Sequence, residues 1–174
     1  MNINCTLLNS KIRVIDFNSE HLTENYISWL NDQEVVKYSE QRHEKHNLDS
    51  VRKYFFEKCH SNDYFLAIEF FDNKWIHIGN IGVSVNKPNN IADVSIIIGD
   101  KKYWGKGIAI IAWNLVLDLL LNKLNFRIVT AGTMEINEPM INLIKKSEMK
   151  IDAVLPARFD FEGNYISMVI ASKY

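Results

Sequence analysis

The stretch KKYWGKGIA, Lys101 to Ala109, sets Gly105 and Gly107 two residues apart among Lys101, Lys102 and Lys106, between one apolar run and a longer one. A strand, a glycine-rich turn and a helix in this order bind phosphate. Successive backbone N–H groups point into the turn, and the helix N-terminus adds partial positive charge. Glycine lets the backbone approach an anion with no Cβ in the way, and the lysines add charge around it. The spacing does not fit G-x-x-x-x-G-K-[ST], because no hydroxyl follows the lysine and no second glycine lies five residues before Gly105. It does not fit G-x-G-x-x-G either, because Ile110 stands at the third position. A P-loop nucleoside triphosphatase and a Rossmann dehydrogenase are therefore disfavoured. By itself, a glycine pair also serves a tight strand-to-helix turn with solvated lysines.

The elements that must position this turn are read from periodicity. Residues near Thr6 to Asp16 alternate as a strand or two, and Leu22, Tyr26, Trp29 and Leu30 predict an amphipathic helix from about Glu20 to Leu30. The polar connection Asn31 to Asn47 is long for a compact domain, which marks it as functional or disordered. Asn47 caps a helix to about His60, with Val51, Tyr54 and Phe55 pointing inward. DYFLAIEFF and WIHIGNIGVSV flank the turn Asp72-Asn73-Lys74 as a hairpin, and IADVSIIIG makes a third strand ending at Gly99. After the glycine turn, Ile108 to Leu120 form a helix apolar over most of its girth, which sheet must cover. FRIVTAGT is the next strand and EPMINLIKKS the next helix, with Pro139 in its first turn. Two strands close the chain around Glu162-Gly163-Asn164. The order is α+β, read as a single domain over 1–174.

Composition narrows the partners. The chain is 47% hydrophobic and 24% charged with a formal charge of −1, which argues against nucleic acid or an anionic membrane as the main partner. The apolar stretch Ile108 to Leu121 carries Asn114 and Asp118 and falls short of the about 20 apolar residues that span a bilayer. Cys5 and Cys59 form no spaced framework and read as unpaired thiols. The N-terminal residues lack the features of a secretory signal, so the expected location is cytoplasmic. His43 and His46 have no third ligand in view, so no metal is expected.

From IGDKKYWGKGIA, through the buried helix and FRIVTAGT to Asn137 before EPMINLIKKSEM, the sequence resembles the GNAT superfamily of acetyl-CoA-dependent N-acetyltransferases. The resemblance is closest to the branch of ribosomal-protein and amino-sugar acetyltransferases, and Trp29 to His43 shares it. It implies a twisted, mostly antiparallel sheet with helices on both faces and a splayed central pair, Ile96 to Ile98 against Arg127 to Thr133. Acetyl-CoA would enter the split. Its pyrophosphate would lie on the backbone of Trp104, Gly105, Lys106, Gly107, Ile108 and Ala109, and its pantetheine arm would pair beside Ile96, Ile97 and Ile98. Asn137 would touch the cofactor from the other side. Where many relatives carry a tyrosine acid or a serine, this chain has Ile144 and Met140, so thiolate leaves directly or takes its proton from water.

Amine acetylation needs a neutral amine, a polarised thioester carbonyl and a route for a proton. The candidate bases are Asp93, at the start of the strand where relatives often have a carboxylate, and Glu40 and His43, in the connection that by resemblance overhangs the acceptor. Each also has an ordinary reading as a turn-forming or solvated residue. Tyr38 is a candidate aromatic wall, and Arg42 and Arg158 are candidate acceptor contacts, with an ion pair the plainer account of Arg42 and core packing that of Trp29. The expected activity is acetyl transfer to a primary amine of a small molecule, with an amino sugar or nucleotide-linked amino sugar preferred, by direct attack in a ternary complex. The alternatives are a protein N-terminal acetyltransferase, a sugar O-acetyltransferase and a non-catalytic acyl-CoA-binding module. Exposed strand ends at the closing hairpin make a homodimer possible.

Overall fold

The computed structural model describes residue 3 and residues 7–174. Cys5 and Thr6 lie outside the described residues, and Cys59 is an exposed free thiol. The strands are β1 (Leu7–Asn9), β2 (Ile12–Asp16), β3 (Tyr64–Asp72), β4 (Lys74–Asn86), β5 (Ile91–Ile98), β6 (Ile128–Met134), β7 (Lys150–Phe161) and β8 (Asn164–Lys173). The helices are α1 (Glu24–Asn31), α2 (Leu48–Cys59), α3 (Ile108–Asp118) and α4 (Glu138–Lys146). Among the described residues, eight strands form one sheet in the order β1-β2-β3-β4-β5-β6-β8-β7. Every pairing is antiparallel except that of β5 with β6.

That parallel pair is short. It is joined at only three positions, Ile91 with Ile128, Ala92 with Val129 and Asp93 with Thr130. Beyond them the strands diverge, so the sheet consists of a β1–β5 half and a β6–β8–β7 half meeting at the foot of a V. The expected splayed pair is present.

Each sheet face has its own core. On one, α3 and α4 cover Val14, Leu66, Ile81, Val94 and Val129, with Trp113 fully buried among them. On the other, α1 and α2 bring Tyr26, Trp29, Leu30 and Val51 onto Phe17 and Ala67. Helices therefore lie on both faces. Alternation along β5 sends Ala92 and Val94 into the first core and Asp93, Ser95 and Ile97 to the opposite face.

Local chemistry sets the helix limits. Asn47 accepts from Ser50 N across 2.9 Å and starts α2 where the sequence placed it. The Thr23 hydroxyl accepts from Tyr26 N, so α1 begins at Glu24, later than the expected Glu20. The intervening Ser19–His21 is a separate 3-10 turn capped by Asn18. Tyr54 of α2 sits at the core rim, 38% exposed, rather than inward beside Val51. The hairpin turns use Asn73 and Gly163 at positive φ. Strand β7 forms one edge of the sheet and exposes Ile151 and Val154. Among the described residues no helix is long and apolar enough to cross a membrane.

Candidate active site

The glycine turn lies at the open end of the V. After β5, Asp100 caps a 3-10 turn, Lys101–Tyr103, by accepting from Lys102 N across 3.0 Å. The chain then passes through Gly105 at φ 70° and Gly107 at φ 73° and enters α3. Both values lie in the left-handed region, where a side chain is costly. A Cβ at either position would meet nothing within 4 Å, so backbone conformation alone demands these glycines, and the space in front of them is open. No side chain caps α3. Among the described residues, no protein group accepts from the amides of residues 105–109. A helix whose first N–H groups face open space, next to two left-handed turns, is a site for an anion.

The lysines around this cradle divide by role. Lys101 is committed elsewhere, its Nζ lying 2.7 Å from Asp32 and 2.9 Å from Glu34, so it is not the phosphate cation that the sequence suggested. The ammonium of Lys106 lies 5.4 Å from the Tyr103 ring centre. Lys102 is exposed. Trp104 donates from Nε1 to the Ile98 carbonyl across 2.7 Å and so folds the turn back onto the end of β5.

Ladder alternation shows which backbone groups of β5 line the V. Gly99 N donates to Ile78 O, which makes Gly99, Ile97, Ser95 and Asp93 the residues that exchange hydrogen bonds with β4. The N–H and C=O groups of Val94, Ile96 and Ile98 then point toward β6. The last pair, Asp93 with Thr130, takes up the Val94 N–H, and past it that strand has gone, so the Val94 carbonyl and both backbone groups of Ile96 stand open along one wall of the split. An extended amide-bearing chain would satisfy them as an added strand does. Ile96 and Ile98 lean their side chains on the α3 core, while Ile97 faces α1.

Asp93 marks the foot of the V. The Thr130 hydroxyl donates to its Oδ2 across 2.6 Å. Desolvation between the paired strands raises the Asp93 pKa above the usual carboxylate value even though the side chain reaches the surface of the sheet, and the Thr130 bond opposes that rise. Its register partners extend a polar row on the α1 and α2 side: Ser84 pairs with Asp93, Asp93 with Thr130, and Thr130 with Ser172. Thr130 carried no signal in the sequence, because only the short parallel ladder brings it to Asp93.

Glu40 and His43 share the 3-10 turn Glu40–His43 between α1 and α2. Both are exposed and 3.9 Å apart, and Glu40 also pairs with Arg42 at 2.8 Å. Arg42 is mostly buried and spends its guanidinium on Ser39 O, Glu40 and Asp160 O, which makes it a clip and not a free acceptor contact. Tyr38 stacks on Phe161 with ring centres 5.9 Å apart, so one of its faces is taken. Arg158 is exposed at the irregularity of β7 between Leu155 and Phe159.

Asn137 caps α4 by accepting from Met140 N across 3.3 Å, and its Nδ2 donates to the Thr133 hydroxyl across 2.9 Å. Both ends of the amide are engaged in holding α4 to β6. Ile144 is fully buried in the α3 core and Met140 packs against it, and neither side chain carries a proton that it could give to a leaving thiolate.

Trp29 is 9% exposed and packs on the end of β5, where a Cβ at Gly99 would fall 2.1 Å from the indole. The core reading of Trp29 holds, and Gly99 exists to admit it. Among the described residues no three His, Cys, Asp or Glu side chains gather as a metal site. A surface hollow of about 370 Å³ beside Asn114, Asp118, Lys146 and Lys173 lies at the other end of α3 from the glycine turn.

Three solved structures share this architecture. A spermidine N-acetyltransferase from Vibrio cholerae, in complex with CoA and spermine, superposes with a TM-score of 0.85 at 20% identity, covering 95% of this chain and 96% of its own. The ribosomal-protein α-N-acetyltransferase RimL, in complex with coenzyme A, gives 0.85 at 10% identity over 97% of each chain. The microcin self-immunity acetyltransferase MccE, in complex with acetyl-CoA and AMP, gives 0.79 at 16% identity, covering 95% of this chain and 93% of its own. At these identities the likeness is one of fold. Residues 11–150 match the family model of the acetyltransferase (GNAT) domain, and the chain accordingly belongs to the GNAT family of acetyl-CoA-dependent N-acetyltransferases.

Proposed function

We propose that this enzyme moves acetyl from acetyl-CoA to the primary amine of a small hydroxylated acceptor, an amino sugar or a nucleotide-linked amino sugar, acting in the cytoplasm. The observation that carries the acceptor class is the row Ser84–Asp93–Thr130–Ser172 across the foot of the V. Its one carboxylate suits an ammonium, and the hydroxyls of Ser84 and Thr130 suit sugar hydroxyls, while Ser172 is buried. Ser95, two residues beyond Asp93 on the same face, extends the hydroxyl-bearing surface along β5.

Acetyl-CoA supplies the thioester, and the chain's residues do the rest. The amides of Gly105 to Ala109 hold the pyrophosphate, and β5 aligns the pantetheine arm along Val94 and Ile96. An N–H of that wall polarises the thioester carbonyl, worth roughly 3 kcal/mol for a well-placed donor. Asp93, with its raised pKa, accepts the proton of the arriving ammonium while Thr130 fixes its carboxyl. The neutral amine attacks the carbonyl carbon, the C–S bond breaks, and the nitrogen sheds its remaining extra proton through water, either to the leaving thiolate or, where the thiolate departs as an anion, to solvent. Glu40 and His43 flank the acceptor from above.

The spermidine enzyme named above acts on a polyamine, RimL on a ribosomal protein, and MccE was captured with AMP, so an assay of free thiol release must span these chemistries. The expected result is saturable turnover with glucosamine or a nucleotide-linked amino sugar and none with a peptide amine. Turnover with the peptide alone would replace the acceptor class by a protein N-terminus. Acetyl-CoA binding without acetylation of any amine would make the chain a binding module. Pairing of two copies through β7 is the corresponding reading of assembly, and sedimentation of a Val154→Lys variant as monomer against a wild-type dimer tests it.

A further inference from the structure

The connection between α1 and α2 is pinned at both ends, and its two anchors stand on opposite halves of the split sheet. At one end, Asp32 and Glu34 hold Lys101, the residue that opens the turn after β5. At the other, Arg42 Nη2 donates to the Asp160 carbonyl across 3.2 Å, on the hairpin that joins β7 to β8. The same guanidinium donates from Nη1 to Ser39 O at 2.9 Å and to Glu40 Oε1 at 2.8 Å, so it stiffens the connection while gripping the hairpin. Tyr38 stacks on Phe161 beside it, and the Lys37 ammonium lies 5.3 Å from the Tyr38 ring centre and 6.0 Å from that of Phe161. The hairpin offers a fixed seat, because Asp160 Oδ1 accepts from Gly163 N at 3.1 Å. The Arg42 side chain is only 10% exposed, unlike its partner Glu40 at 67%.

The halves are otherwise joined within the sheet only through the three pairs from Ile91 to Asp93. On one face α3 and α4 pack across both halves, and on the other the α1–α2 connection reaches from one half to the other.

We propose that Arg42 is a positioning residue that clasps the top of the split: by holding the α1–α2 connection to the β7–β8 hairpin it fixes the gap in which thioester and acceptor meet, and sets Glu40 and His43 over that gap. This rests on the acetyltransferase reading for its kinetic consequence but not for its structural one. Because the cofactor cradle and the pantetheine wall both belong to the β5 half, loss of the clasp leaves acetyl-CoA affinity nearly intact and harms the acceptor step, where a displacement of about 1 Å costs up to about 100-fold.

The test compares wild type, Arg42→Ala and Arg42→Lys, the lysine keeping the charge but losing the two-armed grip. In hydrogen exchange, the alanine variant is expected to speed exchange about tenfold or more at both residues 36–43 and residues 159–164, with amides of β3 and β4 unchanged. In calorimetry, acetyl-CoA affinity should stay within about threefold. In turnover with a panel of glucosamine, spermidine and a peptide amine, kcat/KM for whichever amine the wild type uses should fall about 10-fold to 100-fold, with Arg42→Lys in between. Unchanged exchange at 159–164, or acceptor kinetics equal to wild type in a folded Arg42→Ala protein, overturns the clasp. A wild type that acetylates none of the three amines counts against the functional reading alone, and the exchange experiment then decides the clasp by itself.

Discussion

The indole Nε1 of Trp104 donates to the backbone carbonyl of Ile98 across 2.7 Å, so the residue before the first glycine of the anion cradle is tied to the last residue of the strand that walls the split. One bond thereby sets where the cradle stands relative to the wall. Trp104→Phe keeps most of the apolar contact and removes the donor, at a cost of about 1 kcal/mol in stability. Acetyl-CoA affinity, read by calorimetry, should fall about 3-fold to 10-fold, in line with that loss. Unchanged affinity would mean that the cradle holds its place without the indole.

Gly107 separates two effects that a glycine usually mixes. A Cβ there meets no atom, yet φ is 73°. Gly107→Ala should therefore cost about 1–2 kcal/mol of stability through backbone strain alone. Gly107→Glu adds a carboxylate to a site for phosphate and should weaken acetyl-CoA binding at least about tenfold. Titration of both variants checks this, and equal binding by Gly107→Glu would remove the pyrophosphate from this turn.

Asp93 carries a raised pKa, and the consequence for stability has a definite sign. The folded carboxyl binds its proton more tightly than the unfolded one, so this group's contribution falls as pH rises through the folded value. Asp93→Asn, which keeps an oxygen for the Thr130 hydroxyl, should melt higher than wild type at pH 8 and gain less at pH 4. Its kcat/KM should fall about 100-fold or more if the carboxylate is the base. A stabilised variant with undiminished turnover would move the base elsewhere, first to Glu40.

His77 predicts acid sensitivity. Burial, reinforced by neighbouring His21, lowers its pKa from 6.5 to about 3. Its Nε2 donates to Gly79 O across 3.1 Å, while its buried Nδ1 makes no well-formed hydrogen bond among the described residues, and the Asn80 side chain beside it only partly offsets the cost of a second proton. The unfolded chain takes up that proton below pH 6.5 and the folded chain does not until about pH 3, so stability is lost as pH falls through this window. The slope from this residue is at most about 1.4 kcal/mol per pH unit. Urea midpoints at pH 7 and pH 4.5 should converge in His77→Gln, and an unaltered pH dependence would assign the acid sensitivity to other groups.

What the sequence revealed followed from interactions close along the chain. Asn47 and Ser50 lie in one turn of helix, so the start of α2 was readable, and Gly105 and Gly107 declare their backbone conformation by lacking a side chain. The Thr23 hydroxyl was an equally local cap for α1, but the apolar spacing from Leu22 masked it. The site's support was not legible, because it spans distance. Asp160 lies 118 positions from Arg42, Thr130 lies 37 from Asp93, and Glu34 lies 67 from Lys101. Lys101 therefore looked like a phosphate cation and Arg42 like an acceptor contact, since a sequence shows that a charge exists but not which partner the fold sets against it.

The divergence of β5 from β6 has a consequence for the protein without its cofactor. Strand edges usually lie at the margins of a sheet, where they are shielded against pairing with foreign chains. Here the stretch from Val94 to Ile96 presents an edge in the middle of the molecule, and under the proposed function acetyl-CoA would be the strand that completes it. On that reading, cofactor supply would govern how much sticky edge a population of this enzyme displays. At concentrations well above its dissociation constant the cofactor would then protect the sheet against β-pairing between molecules as well as feed the reaction.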